Sequence, residues 1–356
     1  MYNNKTKSCA EHKNSTEKNT LDLNEMKIMD ETEALGVIKC VYNAYGKTFV
    51  NKAFYDENKL INLNKENNLI SCIGKNKNSQ VIGHVGISPN KNLKTSEICA
   101  AFVHSSYRGN GCLNKLADFA IKTSKSRGDI ACYVYAVTSH YYSQKAAHKN
   151  NFKDCALFLH KAPSLNFKNI KSKNRERESL LLSFRYFKKQ NKRNIYVTQK
   201  YEKILKQIYE NLNIPVKFKY KKFSIMPTPS KSSIDAKKDN YNNIILNIKT
   251  IGKNICEEIS NIIIKSKKEN INSIFLTINI ENKDTPYIIS YTEKIGFLFG
   301  GVLPGDKNKD LLLFQYNLKN IPPENIIIES DIGKSLLNFI KNQYKNNIKN
   351  QKHKAM

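Results

Sequence analysis

The sequence lacks three features that would place it in a common class of protein. Its eight cysteines never form a Cys-X-X-Cys pair, which excludes the usual zinc spacings. Several of them, such as Cys99 and Cys132, stand inside apolar runs, where cysteine packs as a small hydrophobic side chain, so we expect reduced thiols and a cytoplasmic protein. No run approaches the roughly 18 apolar residues of a membrane helix, and the polar start of the chain has no apolar segment typical of a secretory signal.

Acidic residues are also scarce. The sequence has 59 lysines and arginines against 31 aspartates and glutamates, a formal net charge of +28. Such a charge is typical of nucleic-acid-binding proteins, so a basic RNA- or ribosome-associated protein is one alternative for the function. The lysines are spread over the whole chain and do not form one stripe, so we do not expect nucleic acid as the main partner. A preference for anionic ligands remains an expectation.

The apolar pattern predicts a mixed α/β fold. Residues 69–88 predict two strands joined by a polar turn, and residues 97–103 predict a strand buried on both faces. Residues 113–121 carry apolar side chains at helical spacing, and residues 130–137 predict another buried strand. A strand, a helix and a strand in this order form a right-handed crossover, so the two strands should be parallel.

The order of predicted elements repeats in the second half of the chain at a nearly constant offset. Between residues 244 and 318 the pattern again predicts strand, helix, strand, helix and two strands. We therefore expect a disordered tail over 1–27, a first domain over 28–163, a connecting segment with strands and a helix over 164–214, a second copy of the domain over 215–320 and a basic helical tail over 321–356.

Glycine is infrequent, yet two of the 14 glycines flank a single residue in the stretch SSYRGNGCLNKL, residues 105–116. The first backbone N–H groups of the helix that follows have no partners within the helix and carry a partial positive charge. Gly109 and Gly111 leave the backbone bare in front of these groups. The pattern therefore predicts a site for an anion, a phosphate or pyrophosphate.

This stretch matches neither the GxxxxGK(S/T) loop nor GxGxxG, since Asn114 stands at the third glycine position. Residues 97–118, EICAAFVHSSYRGNGCLNKLAD, resemble instead the coenzyme-A-binding motif of the GNAT superfamily of N-acetyltransferases. Arg108, Gly109 and Gly111 match its common form Arg-Gly-x-Gly. Leu113 replaces the last small residue of the motif, which narrows the room for the pyrophosphate. The resemblance extends over residues 28–163.

The resemblance implies two α/β folds in tandem, each with a mixed and splayed sheet, and an N-acyltransferase activity. Acyl-coenzyme A, in its acetyl form, would lie between the strands at 97–103 and 130–137, and no metal would be needed. The acceptor would be an amine of a small molecule, a peptide or a protein, with no membrane involved. The residues implied in coenzyme binding are Phe102, Val103, Arg108, Gly109, Asn110, Gly111, Cys112 and Leu113.

The family mechanism needs a base for the amine and a donor for the leaving thiolate. The resemblance places the usual tyrosine donor at position 147, which is alanine here, so Tyr141 and Tyr142 are alternatives. They are equally well explained as packing aromatics. Glu97, at the start of the central strand, and His140, just beyond the second strand, are the candidates for the base. His104 is a further alternative, and His84 is expected to be structural.

The second copy departs from the motif. Its equivalent turn has the single glycine Gly252, and Glu257 and Glu258 follow in the first turns of the helix, where they would repel a pyrophosphate. We therefore expect a degenerate GNAT-like domain that shapes or covers the acceptor site or docks a partner. A non-catalytic sensor or scaffold that binds acyl-coenzyme A is the main alternative to an enzyme, because Ala147 replaces the tyrosine.

Overall fold

The computed structural model of the protein describes residues 22–90, 93–164, 177–220, 230–305, 310–319 and 321–355. Most of the predicted tail and much of the predicted connecting segment before residue 177 lie outside these ranges. The strands are β1 (Glu25–Ile28), β2 (Ile70–Lys75), β3 (Val81–Asn90), β4 (Thr95–Val103), β5 (Ala131–Val137), β6 (Lys153–Pro163), β7 (Arg177–Tyr186), β8 (Arg193–Tyr196), β9 (Val216–Lys219), β10 (Ser233–Lys238), β11 (Ile244–Thr250), β12 (Ser273–Asn279), β13 (Leu298–Leu303) and β14 (Leu311–Asn317). The α-helices are α1 (Ala34–Tyr45), α2 (Glu57–Lys65), α3 (Cys112–Ser126), α4 (Tyr142–Lys149), α5 (Glu202–Asn211), α6 (Ile255–Lys268), α7 (Thr285–Lys294) and α8 (Asp331–Ala355).

The mixed α/β class predicted from the sequence is confirmed. Twelve of the described strands form one sheet in the order β1-β2-β3-β4-β5-β7-β6-β13-β14-β12-β11-β10, and β8 and β9 form a separate parallel pair. The predicted crossover is present, because β4 and β5 are parallel and α3 connects them. The buried face of α3 carries the apolar residues that the periodicity indicates, including Leu116, Ala120 and Ile121.

Strand β7 lies in the middle of the first half of the sheet. It pairs antiparallel with β5 on one side and with β6 on the other. The sequence assigned this strand to the segment that connects the two domains. Its place between β5 and β6 means that the first half of the sheet needs residues up to Tyr186 to be continuous.

The second half of the sheet repeats the connections of the first. The order β10-β11-β12-β14-β13 has the same succession of antiparallel and parallel neighbours as β3-β4-β5-β7-β6. Helix α6 connects β11 to β12 as α3 connects β4 to β5, and α7 occupies the place of α4. The two halves meet where β6 pairs antiparallel with β13 at Ala156 and Gly301.

Apolar packing continues from one half into the other. A single hydrophobic cluster contains the inner residues of β6 and β7, of β12 to β14 and of helices α5 to α8. At the junction, the Gln315 amide of β14 donates to the carbonyl of Leu157 at 3.0 Å and accepts from the backbone N–H of Leu159 at 2.8 Å. A shared core of this kind couples the stability of the two halves.

Candidate active site

Strands β4 and β5 separate soon after they begin. They pair at only three positions, which end with Glu97 opposite Tyr133, although β4 continues to Val103. Ala101, near the centre of a twelve-stranded sheet, is consequently exposed. The edge of β4 that faces β5 is open beyond Glu97, so its backbone groups can pair with an extended ligand.

A bulge in β4 accompanies this separation. Between the pairs His84–Phe102 and Gly86–Cys99 the register shifts by one residue, and Ala100 has a φ of +45°. The His84 ring is fully buried, and burial lowers its pKa to about 4. The neutral ring donates its Nδ1 hydrogen to the carbonyl oxygen of Ala100 at 2.7 Å, which holds the bulge in place.

The turn between β4 and α3 has the geometry that its two glycines allow. Gly109 has a φ of +85° and Gly111 a φ of +78°, both in the left-handed region that disfavours side chains. A Cβ atom on either glycine would meet no atom within 4 Å, so the space in front of the turn is open. The Arg108 side chain points elsewhere, since its guanidinium donates to the carbonyls of Val103 and Ala44, each at 3.2 Å.

The beginning of α3 is free to bind an anion. Gly111 is the N-cap residue, and no side chain accepts a hydrogen bond from the first turn of the helix. The first helical turn also contains no acidic residue. Unpartnered amides with the positive end of the helix dipole attract a phosphate group, so this turn is a candidate site for an anion.

Phe102 and Val103 lie at the end of β4 beside this turn, and both are buried. The Phe102 ring stacks on the His84 ring with centroids 4.9 Å apart, whereas Val103 packs with Cys112 below the helix. Their side chains therefore pack into the core, and only their backbone edge is directed to the gap between β4 and β5.

Glu97 stands where the two strands part. Its carboxyl group is partly buried, and burial raises its pKa to about 7, although the nearby Lys161 ammonium favours the charged form. A carboxylate with a pKa near neutrality is suited to accept a proton from an ammonium group at physiological pH. Burial is the main reason why the pKa values of Tyr133 and Tyr135, on the neighbouring strand, are raised. The Glu97 charge raises both pKa values further.

The other predicted catalytic residues lie beyond the end of β5 or beside the glycine turn. Tyr141 and Tyr142, at the start of α4, are 41% and 59% exposed. The His140 ring lies 5.3 Å from the Tyr142 ring, between centroids, and its Nδ1 accepts from the Tyr142 backbone N–H at 3.3 Å. The pKa of His104, beside Arg108, is lowered by burial and then by the Arg108 charge.

Helix α4 is held by the segment that precedes α8. The amide of Gln144 donates to the carbonyl of Ile327 at 2.8 Å, and the Ile327 backbone N–H donates to the carbonyl of Thr138 at 2.9 Å. His148 bridges Asp154 and Glu329, and the hydrogen bond with Asp154 is the main reason why the pKa of His148 is raised. Ala147, the position to which the resemblance assigns a tyrosine, is buried in the cluster below α3.

The corresponding turn of the second half is closed. A Cβ atom on Gly252 would lie 2.3 Å from the carbonyl carbon of Lys231, so the backbone of the preceding segment fills the space that is open at Gly109 and Gly111. Ser232 donates its backbone N–H to Asn254 at 2.8 Å. Strands β11 and β12 also stay paired over five positions, from Ile244 to Ile248, and show no gap like that between β4 and β5.

The sequence did not identify several residues that surround Glu97. Tyr133 and Tyr135 alternate along β5, and their spacing could have placed both on the face of Glu97. Lys161 of β6 and Tyr241 of the turn before β11 come from distant positions in the chain, and the turn of Tyr241 is held by hydrogen bonds with Arg177 and Lys161. Among the described residues, no group of three or more histidine, cysteine or acidic side chains is arranged to hold a metal ion.

Comparison with protein families gives one match. Residues 38–152 match the model of the Acetyltransferase (GNAT) family, a range that includes β2 to β5 and ends at Phe152. No curated protein matches the chain. None of the described helices is both long and apolar enough to cross a membrane.

Solved structures of acetyltransferases resemble part of the chain. An N-acetyltransferase from Staphylococcus aureus Mu50 covers 46% of this chain and 98% of its own, with 15% identity and a TM-score of 0.38. The PaiA N-acetyltransferase from Thermoplasma acidophilum, in complex with coenzyme A, covers 46% and 98% with 13% identity and a TM-score of 0.34. The ribosomal-protein-S18-alanine N-acetyltransferase from Escherichia coli covers 46% and 92% with 10% identity and a TM-score of 0.37.

Proposed function

We propose that the protein is an acyl-coenzyme-A-dependent N-acyltransferase with acetyl-coenzyme A as its cosubstrate, because residues 38–152 match the model of the GNAT acetyltransferase family. The observation that carries the proposal is the combination of the gap between β4 and β5 with the open glycine turn at its end. We also propose a cytoplasmic location, on the basis of the unpaired cysteines and the family.

The coenzyme would be held mainly by backbone groups. The amides of residues 108–113 would bind the pyrophosphate, since a positive φ at Gly109 and Gly111 turns the chain around an open space. The free edge of β4 up to Phe102 and Val103 would pair with the pantetheine arm. This arrangement would direct the thioester along the gap toward Glu97, where the strands meet.

Glu97 is our candidate for the general base. It would take a proton from the acceptor ammonium, and the neutral amine would attack the thioester carbonyl, forming the amide bond and breaking the carbon–sulfur bond. The electron pair of that bond leaves with the thiolate of coenzyme A, which then takes a proton, while the attacking nitrogen gives up one proton as the neutral amide forms. Tyr141 or Tyr142 is our candidate for this donor, with His140 and His104 as alternative bases.

The second half is proposed to be a degenerate copy that does not bind the coenzyme. Its strands and helices are connected in the same order as those of the first half, which supports a common fold. The space at Gly252 is filled by backbone, and the acidic first turn of α6 would repel a pyrophosphate. The position of this half against β6 favours a role at the acceptor side of the site.

Release of coenzyme A in the presence of amines tests the proposed reaction. Purified protein with acetyl-coenzyme A should release the free thiol when an acceptor amine is added, and Tyr141→Phe or Tyr142→Phe should lower turnover about 10²–10⁴-fold if the altered hydroxyl is the general acid. The buried Ala147 favours a second candidate, a non-catalytic acyl-coenzyme-A sensor. Tight coenzyme binding without thiol release from any amine would support the sensor and contradict the enzyme.

A further inference from the structure

A continuous row of aromatic side chains leads from Glu97 to the second half of the molecule. Glu97 is the neighbour of Tyr133 across the strands, and the Tyr133 and Tyr135 rings lie 5.8 Å apart between centroids. Tyr135 contacts Phe158 of β6 at 5.6 Å, and Phe158 contacts Phe275 of β12 at 5.2 Å. The face of the sheet beside the candidate base is therefore apolar and aromatic, and both halves contribute to it.

The turn between β10 and β11, residues 239–243, is fixed against this face. Arg177 of β7 donates to the carbonyl of Tyr241 at 3.2 Å, and the Asn243 side-chain amide donates to the carbonyl of Lys161 at 2.8 Å. Asp239 accepts from the backbone N–H groups of Tyr241 and Asn243 at 2.9 and 3.0 Å. The backbone of Tyr241 makes these contacts, and its ring is partly buried against the same hydrophobic cluster as the Tyr133 and Tyr135 rings.

The two acidic side chains near this face, Asp239 and Glu97, differ in their charged partners. The Lys161 ammonium lies 4.9 Å from the centroids of both Phe158 and Phe275 and 3.7 Å from a carboxylate oxygen of Asp239. Asp239 is thus already engaged with Lys161, which leaves Glu97 as the acidic group next to the gap. The Glu97 charge contributes, after burial, to raising the pKa of Tyr241, which agrees with the approach of this turn to the base.

We propose that turn 239–243 forms one wall of the acceptor site and that the acceptor is a primary amine with a single positive charge on an apolar or aromatic skeleton. This inference rests on the proposed N-acyltransferase function. The rings of Tyr133, Tyr135 and Tyr241 bind the skeleton, and Glu97 receives the one ammonium group. A second ammonium on the acceptor meets Asp239 only in its pair with Lys161, so polyamines gain no second carboxylate on this face and are disfavoured.

Steady-state kinetics with 2-phenylethylamine, spermidine and a short alanine-terminated peptide test the inference on the full chain. We expect kcat/KM for phenylethylamine to be at least about 10-fold above that for the other two. Tyr241→Ala should raise the KM for phenylethylamine about 10-fold and leave the calorimetric affinity for acetyl-coenzyme A unchanged. Tyr287→Ala, which removes the same side chain from α7 where it contacts Cys256, is the control and should change neither value.

A second variant tests the charge argument. Lys161→Gln should narrow the preference for phenylethylamine over spermidine about 10-fold, since Asp239 is then no longer paired with Lys161 and can bind the second ammonium. A preference for spermidine in the wild type, an unchanged KM in Tyr241→Ala, or coenzyme binding without turnover of phenylethylamine would each overturn the inference and leave coenzyme binding standing. Absence of acetyl-coenzyme A binding in the wild type, or binding without thiol release from any amine, would instead overturn the proposed function itself.

Discussion

At the scale of single residues, the candidate site contains a buried carboxyl group that lowers the stability of the fold, and two glycines whose positive φ angles disfavour other residues. Glu97 is a partly buried carboxyl group whose pKa is raised to about 7 from 4.5. Its protonated form is favoured by folding, so the stability it contributes is present below pH 4.5 and is lost as the pH rises to about 7. The candidate base Glu97 thus lowers the stability of the fold at neutral and alkaline pH.

Glu97→Gln should therefore raise stability while it lowers activity. The size of the pKa shift corresponds to about 3 kcal/mol of unfolding free energy lost by the wild type between mildly acidic and alkaline pH. Urea unfolding at pH 5 and pH 8 measures it: the variant should gain over the wild type at pH 8 and little at pH 5. The exposed Glu66→Gln is the control, and an equal difference at both pH values would contradict the burial of Glu97.

At the scale of elements, the sequence predicts the helices and strands whose apolar pattern is strong. The buried strand at 97–103, the amphipathic helix that follows and the strand at 130–137 correspond to β4, α3 and β5. The sequence also predicts the turn at Gly109 and Gly111, because backbone with a positive φ angle favours glycine. The absence of side chains at these two positions leaves the space in front of the turn open.

Other elements could not be predicted from local patterns. Helix α2 carries few apolar residues, and only Leu60 of its residues is buried. The place of β7 between β5 and β6 is a long-range pairing, and β7 itself follows a polar stretch that resembles a linker. Tyr241 is brought near the candidate site by two hydrogen bonds between the halves, from Arg177 to the Tyr241 carbonyl and from Asn243 to the Lys161 carbonyl. Such long-range contacts cannot be predicted from residue spacing along the chain.

At the scale of the whole molecule, two halves of like topology share one sheet and one core. Their junction depends on close backbone approach at Gly301, which has a φ of +122°. A Cβ atom at this position would lie 2.4 Å from the carbonyl oxygen of Cys155 and 2.5 Å from the Cα of Ala156. The second half adds Phe275 to the aromatic face beside Glu97, so this part of the face depends on the junction.

Gly301→Ala should destabilise the protein by about 2–4 kcal/mol, because it combines strain at positive φ with a backbone clash at the junction. Gly296→Ala is the matched control, since Gly296 also has a positive φ, +99°, but its added Cβ would only contact the Tyr316 ring at 3.5 Å. It should cost about 1 kcal/mol. Chemical denaturation of both variants measures the difference, and equal losses would show that the junction is not closely packed.

Calorimetric titration of the full chain with acetyl-coenzyme A tests the central claim most directly. Gly111→Glu places a side chain and a negative charge in front of α3, whereas Gly128→Glu makes the same change at the far end of this helix, at a comparable φ of +92° and also in open space. The account predicts one site per chain, loss of binding in Gly111→Glu and wild-type affinity in Gly128→Glu. Wild-type affinity in Gly111→Glu would contradict it, because the coenzyme would then be bound elsewhere.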